Sequence, residues 1–443
     1  MPRTPVTARR THLTIPTYTR EPARRMPQLF RDGWRNYYPE TQDDVLGEVK
    51  RDVDYDAIVL ENEHLRLTVL PELGGKLWSA YDKNADEEAV LVPDCIKPGL
   101  VQRSGGWIPG GMEFNFPIGH HIRSMRPVPC AILEAGPDRA TALIEIRCPR
   151  SGMCLEVQVS LRRGEARFRV DYRVTNPTPL PGRWYVWNNV GMLAHEDWRM
   201  FSKAKYMSSA GHILPYPIDR FGRDISWYGN RLWSMDSFIV GHREDFFGCY
   251  DYRREHGLAH VAPWREMPGK KCFTWGTTHR HMDAERVFND RGDDYLELQV
   301  SPVETQSDFE MMPAGGSRRF GGTWIPFQRI GGIEWANDDL VFHVRDGVGW
   351  LYAAVDLAAR VVVDGKAWRG RLRPGKPRKL PGAVREGSRV ELHVNGAPAR
   401  AFTYPLKGRQ EPNALRRLER RYGGGLRRRR WWHAHEPRTA AAA

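Results

Sequence analysis

The sequence lacks the short motifs by which many enzymes hold nucleotides, metals or acyl groups. It contains no P-loop, no dinucleotide fingerprint, no Gly-x-Ser-x-Gly elbow and no His-Glu-x-x-His pair. Its six cysteines include no Cys-x-x-Cys pair, which favours reduced thiols over a zinc ribbon or a disulfide framework. No apolar stretch approaches the roughly 18 residues of a membrane helix, and the N-terminus has no apolar signal-peptide core. We therefore expect no cofactor, no membrane span and a cytoplasmic location.

Positive charge is concentrated at the two ends of the 443-residue chain. The formal net charge is +13, and residues 1–35 and 411–443 each contribute +6, so the body between them is nearly neutral. A nucleic-acid groove needs basic side chains clustered on the structured surface. Nucleic acid is therefore not expected as the main partner, and the oligomeric state stays open.

Helical periodicity is scarce, and period-two alternation dominates instead. Leu155, Val157, Val159 and Leu161 share one face, and the chain returns through alternating apolar residues at 168–174, which predicts a hairpin. Many such segments between prolines and glycines predict an all-β fold built on a large antiparallel β-sandwich.

Changes in composition and pattern divide the chain into four predicted regions. A second group of short strands, with two-residue hairpin turns at Asp364-Gly365 and Asn395-Gly396, predicts a small C-terminal β-domain. Leu415, Leu418 and Tyr422 then repeat at helical spacing. The predicted regions are a basic N-terminal extension (1–44), the sandwich (45–332), a small β accessory domain (333–406), and a short helix with a basic, disordered tail (407–443).

Polar residues interrupt several strands where a sandwich should be apolar. Glu113 and Asn115 alternate with Phe114 and Phe116, so the two polar side chains share one strand face. Tyr295, Glu297 and Gln299 likewise share a face opposite Leu296, Leu298 and Val300, which suits a carboxylate that is held by its neighbours as a base. A solvated strand face remains the alternative interpretation.

Aromatic residues and amides occur together in the segment Trp187-Asn188-Asn189. One of the two amides must face inward and therefore needs a partner or a ligand. The 16 Trp, 16 Tyr and 16 Phe residues are explained either by a large β core or by a cleft in which sugar rings stack on aromatic faces.

Several longer motifs give the chain a family resemblance. Residues 10–330 resemble an uncharacterised bacterial subfamily of the galactose mutarotase-like, or aldose 1-epimerase-like, superfamily. The similarity rests on these segments: Glu61-Asn62-Glu63, Leu-Pro-Glu-Leu-Gly-Gly, Gly-Gly-Met-Glu-Phe-Asn-Phe-Pro-Ile-Gly-His, Asn176–Pro181, Trp187–Asn189, Glu244–Gly248, Pro268–Lys271 and Trp275-Gly276. Members often continue into tetratricopeptide repeats; here one possible helix follows, so a repeat scaffold is not expected.

The resemblance implies a β-supersandwich and a sugar as the ligand. The mutarotase base lies in a strand that reads Leu-Glu-x-Gln, which matches Leu296–Gln299 and implies that Glu297 is the base. The central mutarotase histidine has no counterpart near Asn188-Asn189, whereas His120 or His121 corresponds to a second, sugar-binding histidine. The predicted catalytic set is Glu297, Glu113, His120 and His121. The predicted substrate-binding set is Asn115, Asn188, Asn189, Trp187, Tyr295, Gln299, Gln306, Lys270, Lys271 and Trp275.

Three functions stay open at this stage. Glu113 and Glu297 form a carboxyl pair for glycoside hydrolysis, with Asp308 and Glu310 in reserve. Glu297 with His120 or His121 suits epimerisation at the anomeric carbon. A carbohydrate-binding protein without catalysis is the third. The absent central histidine favours hydrolysis.

The motif His279-x-His281-x-Asp283 does not predict a metal site, because it offers two histidines and one aspartate without a fourth ligand.

Overall fold

The structure is a computed structural model that describes residues 5–20, 24–25, 41–42, 46–97, 99–102, 105–117, 119–120, 123–278 and 289–422. Antiparallel strands make up nearly all of its regular structure. This confirms the all-β prediction. Within the described ranges no helix is long and apolar enough to cross a membrane. The six cysteines form no disulfide, and four of them are buried.

The large domain is a sandwich of a twelve-stranded and an eight-stranded sheet. The first sheet has the order β1-β4-β5-β6-β10-β16-β24-β23-β20-β18-β19, with β7 paired to β6. Its strands are β1 (Thr7–Arg20), β4 (Leu46–Glu61), β5 (Leu65–Leu70), β6 (Lys76–Asp82), β7 (Glu87–Glu88), β10 (Met112–Asn115), β16 (Trp187–Leu193), β18 (Tyr206–Ser209), β19 (His212–Pro215), β20 (Met235–Val240), β23 (Gly269–Thr274) and β24 (Tyr295–Ser301).

The eight-stranded sheet has the order β11-β12-β13-β14-β26-β22-β21-β17. Its strands are β11 (Cys130–Ala135), β12 (Arg139–Arg147), β13 (Cys154–Arg162), β14 (Phe168–Thr175), β17 (Trp198–Phe201), β21 (Phe246–Asp251), β22 (His256–Val261) and β26 (Ser317–Gln328). The β13–β14 pair is the predicted hairpin. The part of the chain that the structure describes also contains three two-stranded pieces: β2 (Arg24–Arg25) with β3 (Thr41–Gln42), β8 (Gly99–Gln102) with β9 (Gly105–Trp107), and β15 (Gly182–Trp184) with β25 (Glu310–Met312).

The main core lies between the two large sheets because each strand turns its alternate apolar residues inward. Met112 and Phe114 of β10, and Leu296, Leu298 and Val300 of β24, are all buried in this core. Glu113 and Glu297 therefore lie on the other side of the twelve-stranded sheet, which we call its outer face. The predicted face assignment of both strands is confirmed.

The small C-terminal β-domain is not an isolated unit. It consists of two four-stranded sheets, β27-β28-β29-β32 and β31-β30-β33-β34. Its core is continuous with Phe246, Tyr250 and Phe327 on the far side of the eight-stranded sheet. The strands are β27 (Trp335–Asn337), β28 (Leu340–Arg345), β29 (Val348–Ala353), β30 (Leu357–Val363), β31 (Lys366–Leu372), β32 (Pro377–Lys379), β33 (Arg389–Val394) and β34 (Ala397–Thr403). The Asp364-Gly365 and Asn395-Gly396 hairpins form as predicted.

Sequence elements at both ends extend the sandwich beyond its predicted limits. Residues 7–20 of the predicted extension form β1, which pairs with β4 at the edge of the twelve-stranded sheet. Near the other end, helix α1 (Ala414–Tyr422) packs on the outer face of that sheet against Trp187, Phe238 and Val240. The described residues also include the 3-10 turns Pro71–Leu73 and Tyr228–Asn230. Residues 423–443 lie outside the described residues.

Helix α1 presents a buried side and an exposed side to a direct stability test. Leu418 is fully buried and its Cδ1 contacts Gly241, whereas Leu415 is 40% exposed although its spacing predicts a shared apolar face. We expect Leu418→Ala to lower the free energy of unfolding by about 2–5 kcal/mol, because it leaves a cavity under the helix. The matched variant Leu415→Ala should change it by less than about 0.5 kcal/mol. Urea unfolding of both variants measures the difference, and equal losses would contradict this packing.

Candidate active site

Five polar side chains from five neighbouring strands form one line across the outer face, which we call the polar row. Glu113 of β10 pairs with Asn189 of β16, and Asn189 pairs with Gln299 of β24. Gln299 in turn pairs with Lys271 of β23. Lys76 of β6 lies opposite Glu113, because the preceding pair in the register is Met112 with Leu77. Residues paired across antiparallel strands share a face, so the sheet gathers these groups from distant parts of the sequence.

Glu297 lies on the same face, two residues along β24 from Gln299, and is 3% exposed. The hydroxyl of Tyr295 donates to Glu297 Oε1 at 2.8 Å, and the Gln299 amide donates to Oε2. Burial raises the pKa of Glu297 above its ordinary value, while the positive charges of His120 and Lys271 act against that rise. A carboxylate that two neighbours orient and burial makes more basic has the properties of a proton acceptor.

Glu113 is the second buried carboxylate of this face, and it accepts bonds from two aromatic donors. Trp107 Nε1 donates to Glu113 Oε2 at 3.0 Å, and His120 Nδ1 lies 3.2 Å from the same oxygen. Burial lowers the pKa of His120, but the charge and hydrogen bond of Glu113 outweigh it, so the pKa lies above its ordinary value. The arrangement favours an imidazolium with Nδ1 held by Glu113 and leaves Nε2 as the atom able to deliver a proton.

Aromatic rings connect the two carboxylates. The Trp107 ring meets the His120 ring at a centroid distance of 6.0 Å and the Tyr295 ring at 5.7 Å, both edge to face. Trp107 and Tyr295 belong to one buried apolar cluster, against which the half-buried Trp275 packs. Trp107 therefore contacts groups on both the Glu113 side and the Glu297 side of the site.

Lys76 lies in the site although the sequence pattern did not predict it there. Its ammonium donates to the carbonyls of Ile108 and Gly110 at 2.7 and 2.9 Å. Burial lowers the pKa of Lys76 to about 8, although the negative charges of Glu113 and Glu297 act in the opposite direction. The bonds fix the segment between Trp107 and Met112, which positions both Trp107 and Glu113. A lysine at the first position of β6, directly before the apolar pair Leu77 and Trp78, was the available signal.

The two predicted lysines lie on opposite sides of the sheet. Lys271 lies in the polar row, pairs with Asp236 at 2.6 Å and stacks over the Phe238 ring at 4.8 Å. Lys270 faces the interior of the sandwich and donates to the carbonyl of Glu244 at 2.8 Å. Burial lowers the pKa of Lys270 to about 7. The structure therefore does not bring Lys270 to the site.

The two amides of β16 are separated in the same way. Asn188 points into the sandwich, where it donates to Tyr172 at 2.9 Å and accepts from the Val300 amide at 3.0 Å. It is the inward amide whose need for a partner the sequence predicted, and protein groups meet that need. Asn189 faces the site. Its Oδ1 and Gln299 Oε1 are buried and accept no hydrogen bond within the described part of the chain.

The remaining predicted residues lie around the site or outside the described residues. Asn115 is buried on the outer face beside Trp187, which is fully buried beneath helix α1 and offers no exposed ring. Gln306 is half-buried in the loop after β24. Asp308 and Glu310 bind Tyr422 and Arg318, which leaves them outside the polar row. His121, His279, His281 and Asp283 lie outside the described residues.

Three solved structures illustrate the similarity of this chain to known proteins. A TPR-domain containing protein from Parabacteroides distasonis is 23% identical with a TM-score of 0.67, over 73% of this chain and 56% of that chain. A galactose mutarotase-like protein from Clostridium acetobutylicum is 8% identical with a TM-score of 0.46, over 62% and 96%. A galactose mutarotase related enzyme from Lactobacillus acidophilus is 9% identical with a TM-score of 0.40, over 61% and 97%. This chain thus spans 56% of the length of the Parabacteroides distasonis protein, and the two share a fold.

A family model also matches the chain. Its description is "Domain of unknown function (DUF5107)", and it covers residues 34–313. That range is more than half of the chain and contains every member of the polar row, together with Glu297, Trp107 and His120. The small C-terminal domain and helix α1 lie beyond it.

The buried ammonium of Lys76 predicts a measurable pH dependence of stability. Its folded pKa of about 8 lies below the unfolded value of 10.5, so the unfolded chain binds more protons between these values. Stability attributable to this group therefore rises with pH across that window, by about 2 kcal/mol between pH 7.5 and 10. We expect wild type to gain this amount relative to Lys76→Met in urea unfolding at the two pH values. Parallel pH profiles of the two proteins would contradict a buried, charged Lys76.

Proposed function

Since the chain belongs to the family described as "Domain of unknown function (DUF5107)", we propose its function from the chemistry of the outer face: acid/base catalysis at the anomeric carbon of a sugar. Glu297 is the base and His120 is the acid. Two pKa shifts support this assignment. Burial raises the pKa of Glu297, which makes its carboxylate a better proton acceptor, and Glu113 raises the pKa of His120, which keeps the imidazole protonated. The match of Leu296–Gln299 to the mutarotase base motif agrees with this assignment.

The contacts of Glu113 favour epimerisation over the hydrolysis that the sequence favours. Hydrolysis by a carboxyl pair needs one carboxylic acid that gives its proton to the leaving oxygen. Glu113 Oε2 instead accepts from Trp107 and from His120, so this oxygen has no proton to give. Glu297 and His120 form the pair whose pKa shifts suit proton transfer, and such a pair fits the opening and closing of a free sugar ring.

The proposed reaction conserves all atoms of the sugar. Glu297 takes the proton of the anomeric hydroxyl, O1 forms a double bond to C1, and the bond from C1 to the ring oxygen breaks. The ring oxygen takes the proton from His120 Nε2. After rotation about the C1–C2 bond, the reverse steps close the ring in either anomer and restore both side chains. Each correctly placed acid or base contributes on the order of 10²–10⁴-fold.

Substitution of the base provides the first test. We expect Glu297→Gln to lower kcat for anomer interconversion by about 10²–10⁴-fold, because the amide accepts no proton at this position. Polarimetry or NMR of freshly dissolved α-D-galactose and α-D-glucose, corrected for the spontaneous rate, measures the change. The control is Gln158→Leu, because Gln158 lies on the other sheet, away from the site. NMR with oligosaccharides separates the alternatives: a cleaved linkage would favour hydrolysis, and binding without any conversion would favour a binding protein.

The pH profile provides a second test, directed at Glu113. Activity requires ionised Glu297 and protonated His120, and both pKa values lie above their ordinary values. We expect a bell-shaped profile whose two limbs are displaced toward higher pH. Glu113→Gln removes the charge that keeps His120 protonated, so the alkaline limb should move to lower pH while the acidic limb moves little. An unchanged alkaline limb would show that Glu113 does not act through His120.

A further inference from the structure

Two unsatisfied acceptors lie side by side in the middle of the polar row. Asn189 is 3% exposed and Gln299 is 1% exposed, yet Asn189 Oδ1 and Gln299 Oε1 accept no hydrogen bond in the described part of the chain. The Gln299 amide nitrogen donates to Glu297, which fixes the orientation of this amide and leaves the oxygen as its open atom. A buried acceptor without a partner costs free energy, because it has lost its hydrogen bonds to water. A ligand that donates hydrogen bonds to both oxygens removes that cost.

The cations of the same face already have partners. Lys76 donates to two backbone carbonyls, Lys271 pairs with Asp236, and His120 pairs with Glu113. Glu113 and Glu297 add two buried negative charges next to the open oxygens. A phosphate or a carboxylate on the ligand would therefore meet two acceptor oxygens and two neighbouring carboxylates, whereas both ammonium groups of the polar row already have partners.

The two open acceptors are carried by neighbouring side chains, as a pair of adjacent hydroxyl groups requires. Asn189 and Gln299 are directly paired across β16 and β24. Side chains at such positions have Cβ atoms about 4.5–5.5 Å apart. Amide oxygens carried by two such neighbouring side chains can each accept from one of two hydroxyls on adjacent ring carbons, because each hydroxyl carries one donor hydrogen.

We propose that the site selects a neutral sugar, which donates two adjacent hydroxyls to Asn189 and Gln299, and discriminates against phosphorylated sugars and uronic acids. This inference rests on the proposed function in that it places the sugar next to Glu297. It names the substrate class that the proposed chemistry leaves open. It also assigns Asn189, rather than Asn188 or either lysine, as the specificity-determining neighbour of Gln299.

Binding to a chemically silent protein tests the proposal apart from turnover. With Glu297→Gln, titrations followed by calorimetry or ligand NMR compare D-glucose, D-galactose, D-mannose and D-xylose with glucose 6-phosphate and galacturonate. We expect at least one neutral sugar to bind at least about tenfold more tightly than either anionic sugar. Adding Asn189→Leu should weaken that neutral sugar about tenfold, whereas adding Gln158→Leu should leave its affinity unchanged. Near-UV circular dichroism verifies that each variant is folded.

Several outcomes would overturn the proposal. They are tighter binding of an anionic sugar, no binding of any neutral sugar, or unchanged affinity in a folded Asn189→Leu variant. If that variant does not fold, Asn189→Asp replaces it, because this change keeps the acceptor oxygens. We expect Asn189→Asp to retain neutral-sugar binding and to bind galacturonate still more weakly. Loss of neutral-sugar binding together with tighter binding of galacturonate would contradict the proposal. Turnover of sugar phosphates alone would refute this inference and leave acid/base catalysis intact. Binding of a neutral sugar by a wild-type protein that converts no sugar would support this inference and contradict the proposed acid/base catalysis.

Discussion

A buried carboxylate is stable only where donors and positive charges surround it, and this constraint shapes the outer face of the large sheet. Glu297 and Glu113 are both almost fully buried there. Tyr295 and Gln299 donate hydrogen bonds to Glu297, and Trp107 and His120 donate to Glu113. Lys76 is needed in turn, since it fixes the segment that carries Trp107. In the function we propose, the same contacts give the two carboxylates different chemical roles, one as a base and one as the partner of an acid.

The periphery of the molecule keeps this face in place through similar buried ions. Glu244 is buried and accepts from Arg400 of the small domain and from Arg409 of the segment that follows it. Glu304 accepts from Arg417 and Tyr422 of helix α1 and from the Gly241 amide. The C-terminal third of the chain is therefore bonded to the loops at the edge of the sandwich, and α1 closes the end of the outer face where Trp187 lies.

Much of the site could be predicted because strand alternation is a local property. The faces of Glu113, Glu297 and Gln299 follow from the apolar neighbours of each residue along its own strand. Alternation fails where a strand is buried on both faces. In Trp187-Asn188-Asn189 and in Lys270-Lys271, no apolar pattern distinguishes the residue that faces the site from the one that faces the core. No local pattern predicts the roles of Lys76 and Trp107. The carbonyl that Lys76 binds lies about 30 residues further along the chain, and the carboxylate that Trp107 binds lies across a turn.

The sequence by itself determined the fold class, the hairpins and the side of each strand on which the two carboxylates lie, because these depend on residues a few positions apart. Tertiary structure alone decided which groups meet. Strand order brings β6, β10, β16, β24 and β23 side by side, although loops of very different length separate them. That order converts a list of polar residues into one row, removes Asn188 and Lys270 from it, and adds Lys76. The physical reason is that pairing between distant strands is set by the packing of the whole sandwich, which no local pattern encodes.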